Sequence, residues 1–60
     1  MKDHIVRWYS REKIRISSQW LTKAEAEKLA SELLDNDMAK IVIERAHPAG
    51  GYQPVAMYRC

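Results

Sequence analysis

The sequence predicts an α+β fold, β-β-α-β-β, with one helix packed on one face of a four-stranded antiparallel sheet. Three observations carry that prediction. An apolar stripe of helical period occupies the middle of the chain. Two short alternating or β-branched segments lie on each side of it, and turn-forming residues separate the members of each pair. With sixty residues the chain is expected to form one domain, residues 1–60, and folding at this size hides only about 60% of the surface the unfolded chain exposes.

The helix is the most strongly patterned element. Thr22-Lys23-Ala24-Glu25 matches the capping box, in which a Thr hydroxyl and a Glu carboxylate each satisfy an orphan backbone N–H. Leu21 before the cap and Ala26 after it supply the accompanying hydrophobic staple. Ala26, Leu29, Ala30, Leu33 and Leu34 then fall at i, i+3, i+4, i+7 and i+8, the spacing of a core-facing stripe. Glu25, Lys28 and Glu32 occupy the opposite face at pairing distance. Asn36 is expected to end the helix in a left-handed conformation, which predicts a helix over 23–35.

The strands follow from alternation and side-chain type. Ile5–Ser10 and Ile14–Ser18 flank the polar run Arg11-Glu12-Lys13, short enough for a hairpin. Ala39–Arg45 contains Ile41-Val42-Ile43, the most β-branched run in the chain. His47-Pro48-Ala49-Gly50-Gly51-Tyr52-Gln53-Pro54 breaks structure, and Val55–Arg59 forms the last strand. A helical crossover makes the third strand parallel to the second in direction. Placing the first strand between them makes every neighbouring pair antiparallel and gives the order 2-1-3-4. Pro54 then precedes an edge strand, where proline is tolerated.

One helix covers one face of such a sheet, so alternation must divide the strand residues. Val6, Trp8, Ile14, Ile16, Ala39, Ile41, Ile43, Val55 and Met57 are assigned to the helix side. Ile5, Arg7, Tyr9, Arg15, Ser17, Lys40, Val42, Glu44 and Tyr58 are assigned to the open side. Trp20 is expected to cover the end of the core.

Charge sharpens this division. Residues 1–21 hold Lys2, Arg7, Arg11, Lys13 and Arg15 against Asp3 and Glu12. Residues 22–37 hold Lys23 and Lys28 against Glu25, Glu27, Glu32, Asp35 and Asp37. Residues 38–60 hold Lys40, Arg45 and Arg59 against Glu44. The chain therefore alternates basic, acidic, basic, and the predicted fold sends a basic-aromatic face and an acidic helix face in opposite directions.

Several function classes are disfavoured at this stage. A chain this short has no walls for a deep catalytic pocket, and neither His4 nor His47 has a nucleophile and carboxylate at triad spacing. The expectation is a protein that is not an enzyme and has no cofactor. The lone Cys60 permits no internal disulfide, and with two histidines it cannot complete a zinc cage. Gly50-Gly51 precedes no helix and reads as a hairpin loop rather than a phosphate loop. No apolar run reaches the ~20 residues needed to span a bilayer, and no signal-peptide core is present. No membrane partner is expected, and the expected location is the cytosol.

What remains is binding. Arg7, Tyr9, Arg15, Lys40 and Tyr58 form the candidate contact face, because Tyr and Arg anchor protein interfaces. The same residue types suit single-stranded nucleic acid, whose bases stack on aromatics while cations meet phosphates. Ile5 and Val42 on that face favour a protein partner or a second copy of the chain. The expected partner is a larger protein or nucleoprotein complex, with single-stranded nucleic acid and a homodimer as the alternatives.

Three resemblances bear on this. Thr22-Lys23-Ala24-Glu25-Ala26-Glu27 followed by Leu29-Ala30 is similar to the strand-to-helix junction of SPOR domains, which bind peptidoglycan but carry a second helix. The sheet-plus-helix form looks like half of an RNA-recognition motif, although Ala39–Arg45 lacks the Arg/Lys-Gly-Phe/Tyr signature. A Met-initiated chain of this size and architecture also resembles the small orphan proteins of phages and mobile elements, anti-CRISPR inhibitors among them. That resemblance implies a non-enzymatic protein that binds a bacterial defence or nucleic-acid-processing complex through one face. It carries no motif and assigns no residue.

Overall fold

A computed structural model describes residues 2–58. Its elements are β1 (His4–Tyr9), β2 (Arg15–Ser17), α1 (Lys23–Asp35), β3 (Ala39–Ala46) and β4 (Tyr52–Tyr58). They form one antiparallel sheet in the order β2-β1-β3-β4 with the single helix against it, as the sequence predicts. Arg59, expected to end the last strand, and Cys60 lie outside the described residues. No helix among the described residues is long and apolar enough to cross a membrane.

The capping box forms as expected. The Glu25 N–H donates to Thr22 Oγ1 at 3.2 Å, and the Thr22 N–H donates to Glu25 Oε1 at 3.0 Å. The Thr22 backbone N–H, and secondarily its side chain, hold the Glu25 carboxyl below the usual glutamate range. At the other end the left-handed residue falls one position later than predicted. Asn36 has φ −98°, and Asp37 has φ 59°. The Asp37 N–H donates to the Leu34 carbonyl at 3.2 Å and the Met38 N–H to the Leu33 carbonyl at 3.0 Å. These are the two bonds of a Schellman closure.

Both hairpins close by one scheme. The Ser10 N–H donates to the Ile14 carbonyl at 3.0 Å and the Lys13 N–H to the Ser10 carbonyl at 2.9 Å. The His47 N–H donates to the Gly51 carbonyl at 3.0 Å and the Gly50 N–H to the His47 carbonyl at 2.9 Å. Each is a three-residue loop whose third residue is left-handed. That residue is Gly50, at φ 100°, in one loop and Lys13, at φ 64°, in the other. Beyond Ser17 the edge is continued by Ser18, whose N–H donates to the Val6 carbonyl at 2.8 Å and whose Oγ accepts from the Val6 N–H at 2.9 Å. A bridge between His4 and Leu21 then fixes the entry to α1.

The core consists of Val6, Leu21, Ala26, Ala30, Leu33, Ile41 and Ile43, with Trp8, Leu29, Leu34, Met38, Ala56 and Tyr58 packed against it. The expected inward positions Val6, Trp8, Ile41 and Ile43 are there, and Ile16 is half-buried opposite Trp8. Ile14, Ala39, Val55 and Met57 are not. Ile14 precedes β2 and is 56% exposed, because β2 begins only at Arg15.

The other three corrections share one cause: a one-residue slip in pairing moves every later side chain to the opposite face. Between β1 and β3, the pairs Arg7↔Val42 and Tyr9↔Ala39 leave Trp8 facing both Lys40 and Ile41. That bulge turns Ala39 outward, and Lys40 adopts φ 53° within it. Between β3 and β4, the pairs Glu44↔Pro54 and Ile43↔Ala56 leave Val55 as the extra residue. The hairpin register unshifted would set Val55 against Ile43 and Met57 against Ile41. The bulge replaces them by Ala56 and Tyr58. Pro54 sits beside it on the edge strand, where a missing donor does least harm.

Candidate binding face

The face of the sheet away from α1 gathers Arg7, Arg15 and Lys40 with Tyr9 and Tyr52. Arg7, Tyr9, Arg15 and Lys40 line one shallow concavity of about 250 Å³, together with Trp8, Val42 and Glu44. Four of the five residues singled out from sequence are thereby brought together. Tyr58 is not among them. The bulge at Val55 turns it to the helix side, where it packs on the core, and its place opposite Val42 is taken by Met57, 57% exposed.

Cross-strand register explains the grouping. Arg7 lies opposite Ser17 on β2 and Val42 on β3, and Tyr9 lies opposite Arg15. The Lys40 Nζ stands 5.3 Å from the centroid of the Tyr9 ring, within cation–π range. The bulge that gives Lys40 its left-handed backbone also re-aims its side chain, a usual effect of such bulges.

Arg7 is the hub of a second cluster. Its guanidinium carbon lies 4.9 Å from the Tyr52 ring centroid, and Tyr52 stacks on Trp20 at 5.9 Å between centroids and 28° between planes. On its other side, Arg7 Nε stands 3.1 Å from Glu44 Oε1, with the side chains 24% and 17% exposed. Both atoms are covered, yet neither has an aligned hydrogen-bond partner. The contact is a charge pair held by packing rather than a directed bond. Trp20, Tyr52, Arg7 and Glu44 form a continuous column across the sheet, with Trp20 42% and Tyr52 48% exposed.

Trp20 and Tyr52 are the residues that sequence reasoning missed. Trp20 does not cover the core end as expected; Leu21 is the buried residue there. Tyr52 falls inside the segment taken as loop, because Pro54 two residues later reads as a breaker. The usable signal was Pro48-Ala49-Gly50, which completes a three-residue hairpin loop and so places the next strand at Tyr52.

The remaining candidates have structural partners. His4 is buried, with Nδ1 2.8 Å from Asp3 Oδ1, and Arg45 Nε approaches Asp3 Oδ2 at 3.4 Å. Desolvation works to raise the Asp3 carboxyl, but the His4 hydrogen bond, the His4 charge and Arg45 outweigh it and leave the carboxyl below its usual range. His47 Nδ1 accepts from the Ala49 N–H at 3.1 Å and braces its own turn. Among the described residues, no three metal-ligating side chains cluster. The acidic side of α1 presents Glu25, Lys28 and Glu32 around Leu21 and Leu29, the solvated face expected of an amphipathic helix. No protein-family model matches the chain, and no curated protein or solved structure shows significant similarity to it.

Proposed function

We propose that this protein is a non-enzymatic binding protein that works by covering a surface of a larger protein or nucleoprotein complex with its open sheet face. The observation that supports this most is the exposed Trp20–Tyr52–Arg7 column with Met57 on the same face. Trp, Tyr, Met and Arg are the types enriched at interface centres. Here they are already stacked and charge-paired before any partner arrives, which lowers the ordering cost of binding.

The column also favours protein over nucleic acid as the target. Stacking a base on Tyr52 requires an open ring face, and Tyr52 already has Trp20 against it and Arg7 within cation–π range. Arg7 is neutralised by Glu44. What Tyr52 offers is its ring edge and the apolar surface beside it, suited to side-chain packing. Arg15 and Lys40, both exposed, add a cationic rim that fits an acidic partner surface. The resemblance in size and architecture to phage-encoded inhibitors of the anti-CRISPR kind points to a bacterial defence or nucleic-acid-processing complex as the target.

The test is affinity capture from host lysate with wild type, Trp20→Glu and Met57→Lys. Both variants sit on exposed positions, so melting temperature should hold, while affinity for the captured complex should fall about tenfold or more. Retention of the complex by both variants assigns binding to another surface. A gel shift with short RNA or DNA that weakens steeply with salt would move the reading to single-stranded nucleic acid. A doubled mass by light scattering, lost in Met57→Lys, would move it to a homodimer.

A further inference from the structure

The non-glycine residues with left-handed backbones among the described residues are Lys13, Asp37 and Lys40, at φ 64°, 59° and 53°. They come from three separate devices: the bulge of the β1–β2 hairpin, the Schellman closure of α1, and the bulge in β3 opposite Trp8. All three line one groove of about 490 Å³, completed by Tyr9, Ser10, Arg11 and Ala39. Left-handed positions are disfavoured for residues with a Cβ and are natural places for Gly or Asn. The other hairpin, with the same closure, uses Gly50. Such outliers gather where a site requires particular side chains.

We infer that this groove is a binding site for a small phosphorylated ligand. Its side chains set three cations, Arg11, Lys13 and Lys40, against the single carboxylate of Asp37, a charge balance that attracts an anion. Arg and Lys divide the task as phosphate sites do: guanidinium supplies a planar fork and ammonium a compact charge. Tyr9 and Ala39 line the same groove and give the organic remainder of the ligand an apolar wall. The volume lies within the range of small-molecule clefts. The two lysines stand at the strained positions because a bulge points its residue out of the strand alternation, and here that direction is into the groove. Glycine at either position would relieve the backbone and remove a cation.

Arg11 and Lys13 line this groove and not the concavity of the open face, so the inference can be tested apart from the protein-binding reading. The experiment is an NMR amide-shift titration of the full chain with pyrophosphate, with ADP, and with adenosine as the uncharged control. Saturable shifts confined to residues 9–13 and 37–40 are expected with pyrophosphate and ADP, with ADP tighter, and none with adenosine. Lys13→Asn keeps a residue that tolerates the left-handed backbone while deleting the charge, and Arg11→Gln lies in an exposed turn. The double variant should keep or raise the melting temperature and weaken binding by at least about tenfold. Shifts spread over every basic residue, shifts that never saturate, or unchanged affinity in the double variant would each overturn the inference.

Discussion

The two faces of this sheet are built from the same four strands and follow opposite rules. Under α1, Val6 and Ile41 are fully covered and Ile43 nearly so, with Ala26 and Ala30 small enough to let the helix approach closely. On the far side, Trp20, Tyr52 and Met57 are about half exposed, and order comes from stacking and from the Arg7–Glu44 pair. Close-packed apolar contact supplies stability on the first face. Polar-aromatic contact on the second fixes geometry at small energetic gain and leaves surface unspent. A domain this small can therefore assign stability and recognition to different sides of one sheet.

The largest expected effect breaks the first side alone. Ile41→Ala should cost about 2–5 kcal/mol, against a total of about 3–9 kcal/mol for sixty residues. Chemical denaturation should find the variant largely unfolded at ambient temperature, or close to it. The equal and opposite test is Met57→Lys on the far face, which should leave the denaturation midpoint nearly unchanged while abolishing partner capture. If Met57→Lys unfolds the protein, the two sides are not separable.

Intermediate effects come from the links between the faces. Arg7→Met keeps apolar volume against Tyr52 but strands the Glu44 carboxylate, and should cost about 1–3 kcal/mol. The double variant Arg7→Met, Glu44→Gln should recover most of that, measured as a double-mutant cycle. Thr22→Ala removes the helix cap and should cost about 1 kcal/mol. Lys13→Gly should raise stability by about 0.5–1 kcal/mol, by relieving the left-handed position that Gly50 already relieves in the other hairpin.

The smallest effect is a pH dependence. Glu25 titrates below its usual range in the folded chain. Its contribution is thus fully present above the unfolded value and lost as pH falls through the lowered folded one, in the acid region below about pH 4. Glu25→Gln should flatten that limb of a Tm-against-pH profile. Asp3, also lowered, should leave a residual slope that Asp3→Asn removes.

The fold was legible because its signals are local and mutually consistent. The capping box and the apolar stripe over 23–35 mark one helix, and chain direction then permits few sheet orders. Three details were not legible, and each has a physical reason. The bulges at Lys40 and Val55 depend on how paired strands settle their register, which no local period encodes; this is why strand parity sends Tyr58 to the open side and Met57 to the core. The left-handed closure fell on Asp37 rather than Asn36, two residues with similar tolerance for that conformation. Trp20 lies between elements, where no alternation assigns a face, and its partner Tyr52 is tens of residues away. The basic members Arg7, Tyr9, Arg15 and Lys40 could be grouped from strand parity. The aromatic column could not, because it exists only after β4 has paired.

The strand order also governs how fast the chain can assemble. The β3–β4 hairpin is closed by a loop with φ preset at Pro48 and a glycine at its left-handed position, so its ends meet over a short stretch of chain. The central pair β1–β3 instead joins His4 to Arg45, and must close a loop holding β2 and the whole helix. Short closures form first and long ones carry the entropic barrier. The expected transition state has the β3–β4 hairpin and the capped helix in place, with the β1–β2 hairpin docking last onto β3. Substitutions in β3–β4 should then slow folding, whereas those in β2 should act mainly by speeding unfolding.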